Sequence, residues 1–277
     1  MKKVAKKIYK NKSFLVGLCL MGVLILIALI GPAFAPWKPN ELSNELMVPP
    51  GTTGHILGTD KLGGDMLSNL IHGTVTSLTI GLIASAISAV IGVFLGAIAG
   101  FYGGKIDRVF SEFMNIFIMI PTFFLILIIV AFFGSNIRNV MIVIGLTSWT
   151  ANARLMRAQA MALKERTFVK SAEVIGEKKM VILMRHFVPN AVYPIIANTI
   201  MNISGAIMTE ASLSFLGLGD PNVVSWGQII AHGKSYLTQA WWITTFPGIM
   251  IVLTVLSLFL IGDGINKVMT PKLAANE

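Results

Sequence analysis

The chain has 277 residues, 55% of them hydrophobic and only 13% charged, about half the charged share of an ordinary soluble domain. A water-soluble core of this size has no use for so much apolar sequence, so the excess must face lipid. The net charge of +9 does not read as a nucleic-acid surface, because the basic residues fall in the gaps between apolar stretches and not among aromatics on a polar face.

In chain order, six stretches predict transmembrane helices: 14–34, 75–99, 113–133, 139–153, 191–218 and 241–261. A helix crossing a hydrocarbon core of ~30 Å needs roughly 20 apolar residues. The fourth stretch is short. The fifth carries Asn198, Asn202 and Glu210 and needs protein neighbours to shelter them. In the second, Ala84, Ser88, Gly92, Gly96 and Gly100 recur every four residues, so one helix face is small and fits closely against another helix.

Before the second stretch, the segment from Pro36 to Gly73 is rich in turn residues, as is the region after Gly217. Trp226, Trp241 and Trp242 suit a membrane–water interface. The basic start, apolar run and Ala33-Phe34-Ala35 resemble a signal peptide, but the run is too long and Pro36 follows, so a retained first helix is expected.

Orientation follows from Lys and Arg. With the N-terminus inside, the N-terminus, the loop near 100–112, the loop near 154–190 and the C-terminus hold 18 of the 22 basic residues. Lys38, Lys61, Arg138 and Lys234 face outside. Both termini are therefore expected in the cytoplasm. The expected organisation is a cytoplasmic N-terminus and first helix (1–34), an outer segment (35–73), and a core of five helices (74–277) with a cytoplasmic loop at 154–190.

Catalytic chemistry is not legible. A phosphate loop needs G-x-x-x-x-G-K-[ST]. Gly233-Lys234-Ser235 has Gln228 where the first glycine belongs, and Gly104-Lys105 has Ala99 there. The four histidines show no ligand spacing, although His55 and His72 share the outer segment, so no metal is expected. Cys19 is a single apolar filler. Glu210 is the one notable ionisable residue inside a span, and it reads either as part of a pathway or as a structural tie.

The 154–190 loop is the most informative stretch. Residues 167–176 read as a short helix ending in Gly176, residues 178–187 read as a second helix, and Pro189 opens the next span. A helix–glycine–helix elbow on a membrane face is a docking element for a partner groove. The residues alone leave open a plainer reading, a charged loop that fixes topology.

The elbow resembles the coupling motif of ABC-importer permeases, E-A-A-x-x-x-G followed by I-x-L-P. Gly176 is followed after nine residues by His186-Phe187-Val188-Pro189-Asn190, which is similar to the H-x-L-P-N ending of the dipeptide/oligopeptide/nickel permease family. Leu57-Gly58-Thr59-Asp60-Lys61-Leu62-Gly63-Gly64-Asp65 resembles that family's L-G-T-D-x-x-G-R-D. Glu210 to Gly219 resembles its E-A-x-L-S-F-L-G-L-G, with Trp226-Gly227 following, and Gly262-Asp263 resembles its late G-D. On these motifs the chain is identified as a member of that family, of the C-type subunit. There are two departures. Lys170-Ser171-Ala172 stands at the E-A-A position, so a base replaces the acid, with Glu173 one turn on. Gly64 replaces the arginine of G-R-D.

The resemblance implies an all-α type I importer permease that is not itself an enzyme. Its coupling residues would be Lys170, Ser171, Ala172, Glu173, Gly176, His186, Pro189 and Asn190. Implied partners are a homologous permease, two ABC ATPase subunits that carry ATP and Mg, and an outer solute-binding protein. Peptides are the expected substrates, with nickel or oligosaccharide as alternatives. A stand-alone secondary transporter is the rival reading, but it would want several midplane charges and matched halves.

Overall fold

A computed structural model describes residues 11–269, and Lys2, Lys3, Lys6, Lys7, Lys10 and Lys272 of the charge count lie outside them. The described residues form helices and, in the outer segment, isolated β-bridges. The helices are α1 (Lys12–Phe34), α2 (Met66–Tyr102), α3 (Gly104–Met119), α4 (Thr122–Phe133), α5 (Ile137–Thr147) and α6 (Thr150–Lys164). They continue with α7 (Thr167–Val174), α8 (Lys179–Val181), α9 (Val188–Phe215), α10 (Trp226–Gly233) and α11 (Trp242–Met269). A π-helical turn, Ile182–Phe187, joins α8 to α9.

The small-residue stripe of α2 sets the main packing seam. A Cβ added at Gly92 would sit 2.5 Å from the Asn152 Cβ and 2.8 Å from the Trp149 carbonyl oxygen. One added at Gly100 would sit 2.6 Å from the Arg157 carbonyl oxygen, and Gly96 lies against the Ala153 backbone. α2 and α6 thus touch backbone to backbone, as the four-residue spacing predicts. A polar chain crosses the seam. Ser88 donates to the Ser148 carbonyl (2.9 Å), Asn152 donates to Ser88 Oγ (3.4 Å), and Asn198 of α9 donates to Asn152 Oδ1 (2.9 Å). That is the shelter Asn198 requires. α1 packs along α11 at the edge, sharing Phe14, Met21, Leu24, Leu258 and Ile261.

Several expectations need correction. Four helical segments are each long and apolar enough to cross a membrane, and a fifth joins them if a bent pair counts as one span. The bent pair is α3 and α4, where a single helix over 113–133 was expected. The two axes differ by 78°. Pro121 is the cause: it has no N–H to continue the ladder, and its ring holds Ile120 in an extended conformation (φ −84°, ψ 120°). The 139–153 stretch is two helices, α5 and α6, separated at Ser148–Trp149, and α6 runs on to Lys164. Pro189 does not open a separate span, because residues 179–215 form one continuous helical rod. The π turn widens the helix just before Pro189, which makes room for its ring. α2 begins at Met66, within the outer segment.

Trp226 is not at a lipid interface. It is fully buried, its backbone N–H donates to Ser77 Oγ (3.1 Å), and its ring lies beside Gly73. Trp242 is buried too, donating through Nε1 to the Thr59 carbonyl (3.0 Å), whereas Trp241 is exposed.

Candidate functional site

The elbow starts at Arg166, which is extended (φ −76°, ψ 143°), and α7 follows for eight residues. Gly176 ends it with φ +83°, in the left-handed region that favours glycine. Glu177 N–H donates to the Ala172 carbonyl (3.1 Å) and Gly176 N–H to the Glu173 carbonyl (3.0 Å), the paired bonds of a Schellman cap. The glycine therefore satisfies the last carbonyls of α7 and turns the chain toward α8.

Two α7 side chains point inward. Val169 and Ala172 are buried in a cluster with Met156 of α6, Ile182 and Phe187 of the π turn, and Ile195 of α9. The elbow is thus pressed onto the C-terminal part of α6 and the N-terminal part of α9, so any displacement of it bears on both helices. The other face is open. Phe168, Val174 and Ile175 are exposed, the last two almost wholly. A groove of about 680 Å³ lies beside them, lined by Phe168, Ser171, Ile175, Gly176, Arg185 and His186.

The structure gathers the motif residues around this turn. Lys170 is exposed and pairs with Glu165 (Nζ–Oε2 3.0 Å), while Ser171 and Glu173 are exposed on the same helix. His186 Nε2 lies 2.9 Å from Glu177 Oε2, which ties the π turn back to the residue after Gly176. Asn190 donates through Nδ2 to the His186 carbonyl (2.6 Å), and exposed Pro189 sits between them in the first turn of α9. His186 and Asn190 therefore shape the elbow itself.

Glu210 is buried near the far end of α9. Its Oε1 accepts from Ser214 Oγ (2.8 Å) and Ser225 Oγ (2.7 Å), and Ser225 caps α10 by accepting from Gln228 N–H (3.1 Å). Glu210 thereby ties α9 to α10. Its Oε2 has no hydrogen-bond partner among the described residues.

The outer segment is a platform of buried and half-buried polar contacts, which the single residues did not reveal although the L-G-T-D stretch marked its position. Asp65 caps α2, accepting from Ser68 N–H (2.8 Å) and Ser68 Oγ (2.7 Å), and its Oδ1 lies 2.8 Å from His55 Nδ1. The His55 ring stacks on Trp37 (5.4 Å). Asp60 accepts from Leu62 N–H and Gly64 N–H, both at 2.8 Å. Thr59 donates to the Glu45 carbonyl (2.7 Å) and accepts from Val48 N–H (2.9 Å). His232 of α10 lies beside Asp60 and Lys61 of this platform, where partial desolvation, with Lys61 nearby, lowers its pKa below the usual histidine value. A bidentate pair between Arg157 of α6 and Asp107 of α3 was also illegible in sequence, because fifty residues separate the partners.

Comparison with known proteins adds a family to this geometry. Residues 92–275 match the family described as "binding-protein-dependent transport system inner membrane component". Residues 1–50 match the N-terminal transmembrane domain of oligopeptide transport permease C. The chain is 37% identical over 270 residues to the di/tripeptide transport system permease protein DppC of Pseudomonas aeruginosa, covering 95% of this chain and 89% of that protein. It is 32% identical over 270 residues to the oligopeptide transport system permease protein OppC of Haemophilus influenzae, covering 96% and 87%. A chain of the MetNI methionine ABC transporter, solved in inward-facing conformations, shares the fold with a TM-score of 0.58 at 19% identity, covering 73% of this chain and 97% of that one. The chain is a multi-pass membrane protein and belongs to the family of binding-protein-dependent transport system inner membrane components.

Proposed function

We propose that this chain is one of two homologous permease subunits of an ATP-driven importer for di- and oligopeptides. Two ABC ATPase subunits holding ATP and Mg dock on its inner face, and a solute-binding protein delivers substrate to its outer face. The peptide class rests on the relatives' names and on the family motifs. Both termini lie in the cytoplasm, supported by the 18-to-4 distribution of basic residues. Six crossings follow if α3–α4 and α5–α6 each count as one.

The observation that carries this reading is the elbow. It presents exposed apolar residues at its tip and buries its other face against α6 and α9. A partner gripping Phe168, Val174 and Ile175 could therefore pull on the inner ends of two membrane helices as a rigid-body lever. Lys170, Ser171, Ala172, Glu173, Gly176, His186, Pro189 and Asn190 form or brace that lever. Lys170 holds Glu165 within the chain, so a salt bridge from this position to the ATPase is replaced by Glu173 or by apolar contact. Glu210 serves as the tie between α9 and α10, not as a carrier of substrate.

Gly176→Pro tests the lever, since proline cannot adopt the positive φ at this turn. The variant should assemble with its partners and lose ATP-dependent uptake in proteoliposomes. Normal uptake by the assembled variant would refute the lever. Uptake by the purified chain alone, driven by an ion gradient, would favour a secondary transporter instead.

A further inference from the structure

We infer that the polar stripe of α3 and the break between α3 and α4 line the water-filled translocation pathway, an assignment that rests on the importer reading. α3 has three faces. Asp107, Phe110, Met114 and Phe117 face the protein: Asp107 pairs with Arg157, Phe110 and Phe117 contact the Trp149 ring at 5.9 and 5.5 Å, and Met114 is buried beside Trp149 and Ala153. Ile106, Val109, Ile116 and Ile120 form a second, exposed apolar face, bordered by Phe113, which is half exposed and stacks on the Trp149 ring at 6.1 Å. Lys105, Arg108, Glu112 and Asn115 are exposed on a third. At 3.6 residues per turn those four fall within an arc of about 80°, and the same arc continues to Met119 at the break.

Depth gives this stripe its meaning. Asp107 meets Arg157 while Phe117 meets Trp149, so α3 runs antiparallel to α6, against the seam of α2. A rise of about 1.5 Å per residue puts Ile120 roughly 20 Å from the ion pair, inside a hydrocarbon core of ~30 Å if the pair lies at its edge. There the helix is interrupted. Pro121 offers no N–H, the last carbonyls of α3 lose their donors, and α4 begins without a side-chain cap. Met119, Ile120, Pro121 and Thr122 are all exposed. Lipid does not tolerate uncapped backbone, and such a break occurs at membrane depth only where protein or water covers it. The polar stripe and the break point the same way, so one aqueous passage satisfies both. The neighbouring apolar stripe then faces lipid or the second permease.

The test uses single-cysteine variants on a Cys19→Ser background in the assembled, membrane-embedded importer, probed with a membrane-impermeant quaternary-ammonium methanethiosulfonate. Asn115→Cys, Met119→Cys and Thr122→Cys should react at least about tenfold faster than Ile116→Cys, because the thiolate forms only where water reaches it. Labelling after denaturation confirms one thiol in each variant. Break and stripe positions that react no faster than Ile116→Cys overturn the assignment. That result with normal ATP-driven uptake leaves the importer reading intact, whereas uptake without an ATPase removes the importer reading whatever the labelling.

Discussion

The segment before α2 is pinned by the buried side chains of Asp65 (to His55 and Ser68), Thr59 (to residues 45 and 48) and Trp242 (to Thr59), with half-buried Asp60 holding the 62–64 turn. The 165–190 elbow is held by one glycine cap, two buried apolar residues of α7, the half-buried His186–Glu177 contact and the exposed Lys170–Glu165 pair. Buried, satisfied hydrogen bonds are costly to break, whereas exposed ion pairs contribute little. The segment before α2 is therefore held by the more firmly buried contacts, and the proposed importer function assigns the movement to the elbow. The proposed importer subunit, taking cargo on one side and force on the other, calls for that asymmetry.

The contrast can be broken by mutation. The largest effect is expected from Asp65→Ala, which leaves His55 and the start of α2 without their acceptor and should cost about 3 kcal/mol. Thermal unfolding of the purified protein in detergent measures it, and a change under about 1 kcal/mol would mean that the platform is not held by these groups. Gly176→Ala should cost about 1 kcal/mol, from a non-glycine residue at positive φ. Its uptake should fall far more than its melting temperature, and a proportionate fall in both would argue that the elbow is merely structural.

A smaller, pH-dependent effect is expected at His232. Its pKa is lowered in the fold, so the unfolded chain binds the extra proton first. The associated stability is present above an unfolded pKa of about 6.5 and is lost as pH falls below it. His232→Gln should flatten that part of the stability–pH curve, and an unchanged curve would show that another group is responsible. Lys170→Glu should change stability least, by under about 0.5 kcal/mol, since it removes one exposed pair. A clear loss of thermal stability in this variant would show that the elbow is pinned more firmly than its exposure implies.

Much of the core was legible because its chemistry repeats in sequence. The four-residue spacing from Ala84 to Gly100 marks a close-packed face of α2, whose Gly92–Gly100 part is the seam with α6, and Gly176 marks the elbow. The misjudged parts are those that hydropathy cannot register. Phe113 to Phe133 is apolar throughout its second half, so its average conceals the break, although Pro121 was the available signal. Pro189 looked like a helix start because a proline usually is one, and only the π turn explains how the helix passes through it. Trp226 was assigned to an interface on its residue type, whereas the glycine at 73 leaves a space that the indole fills. The Asp107–Arg157 pair and the Asn152–Asn198 contact join distant segments and leave no trace in local pattern.

The most direct measurement of the account concerns Ile175, which is almost fully exposed at the elbow tip. Ile175→Cys on a Cys19→Ser background should react readily with a water-soluble maleimide in the isolated chain. In the complex with its ATPase subunits it should become protected, while Cys19→Ser alone transports normally. An Ile175→Cys that stays equally reactive in a complex performing ATP-driven uptake would contradict the elbow as the docking point.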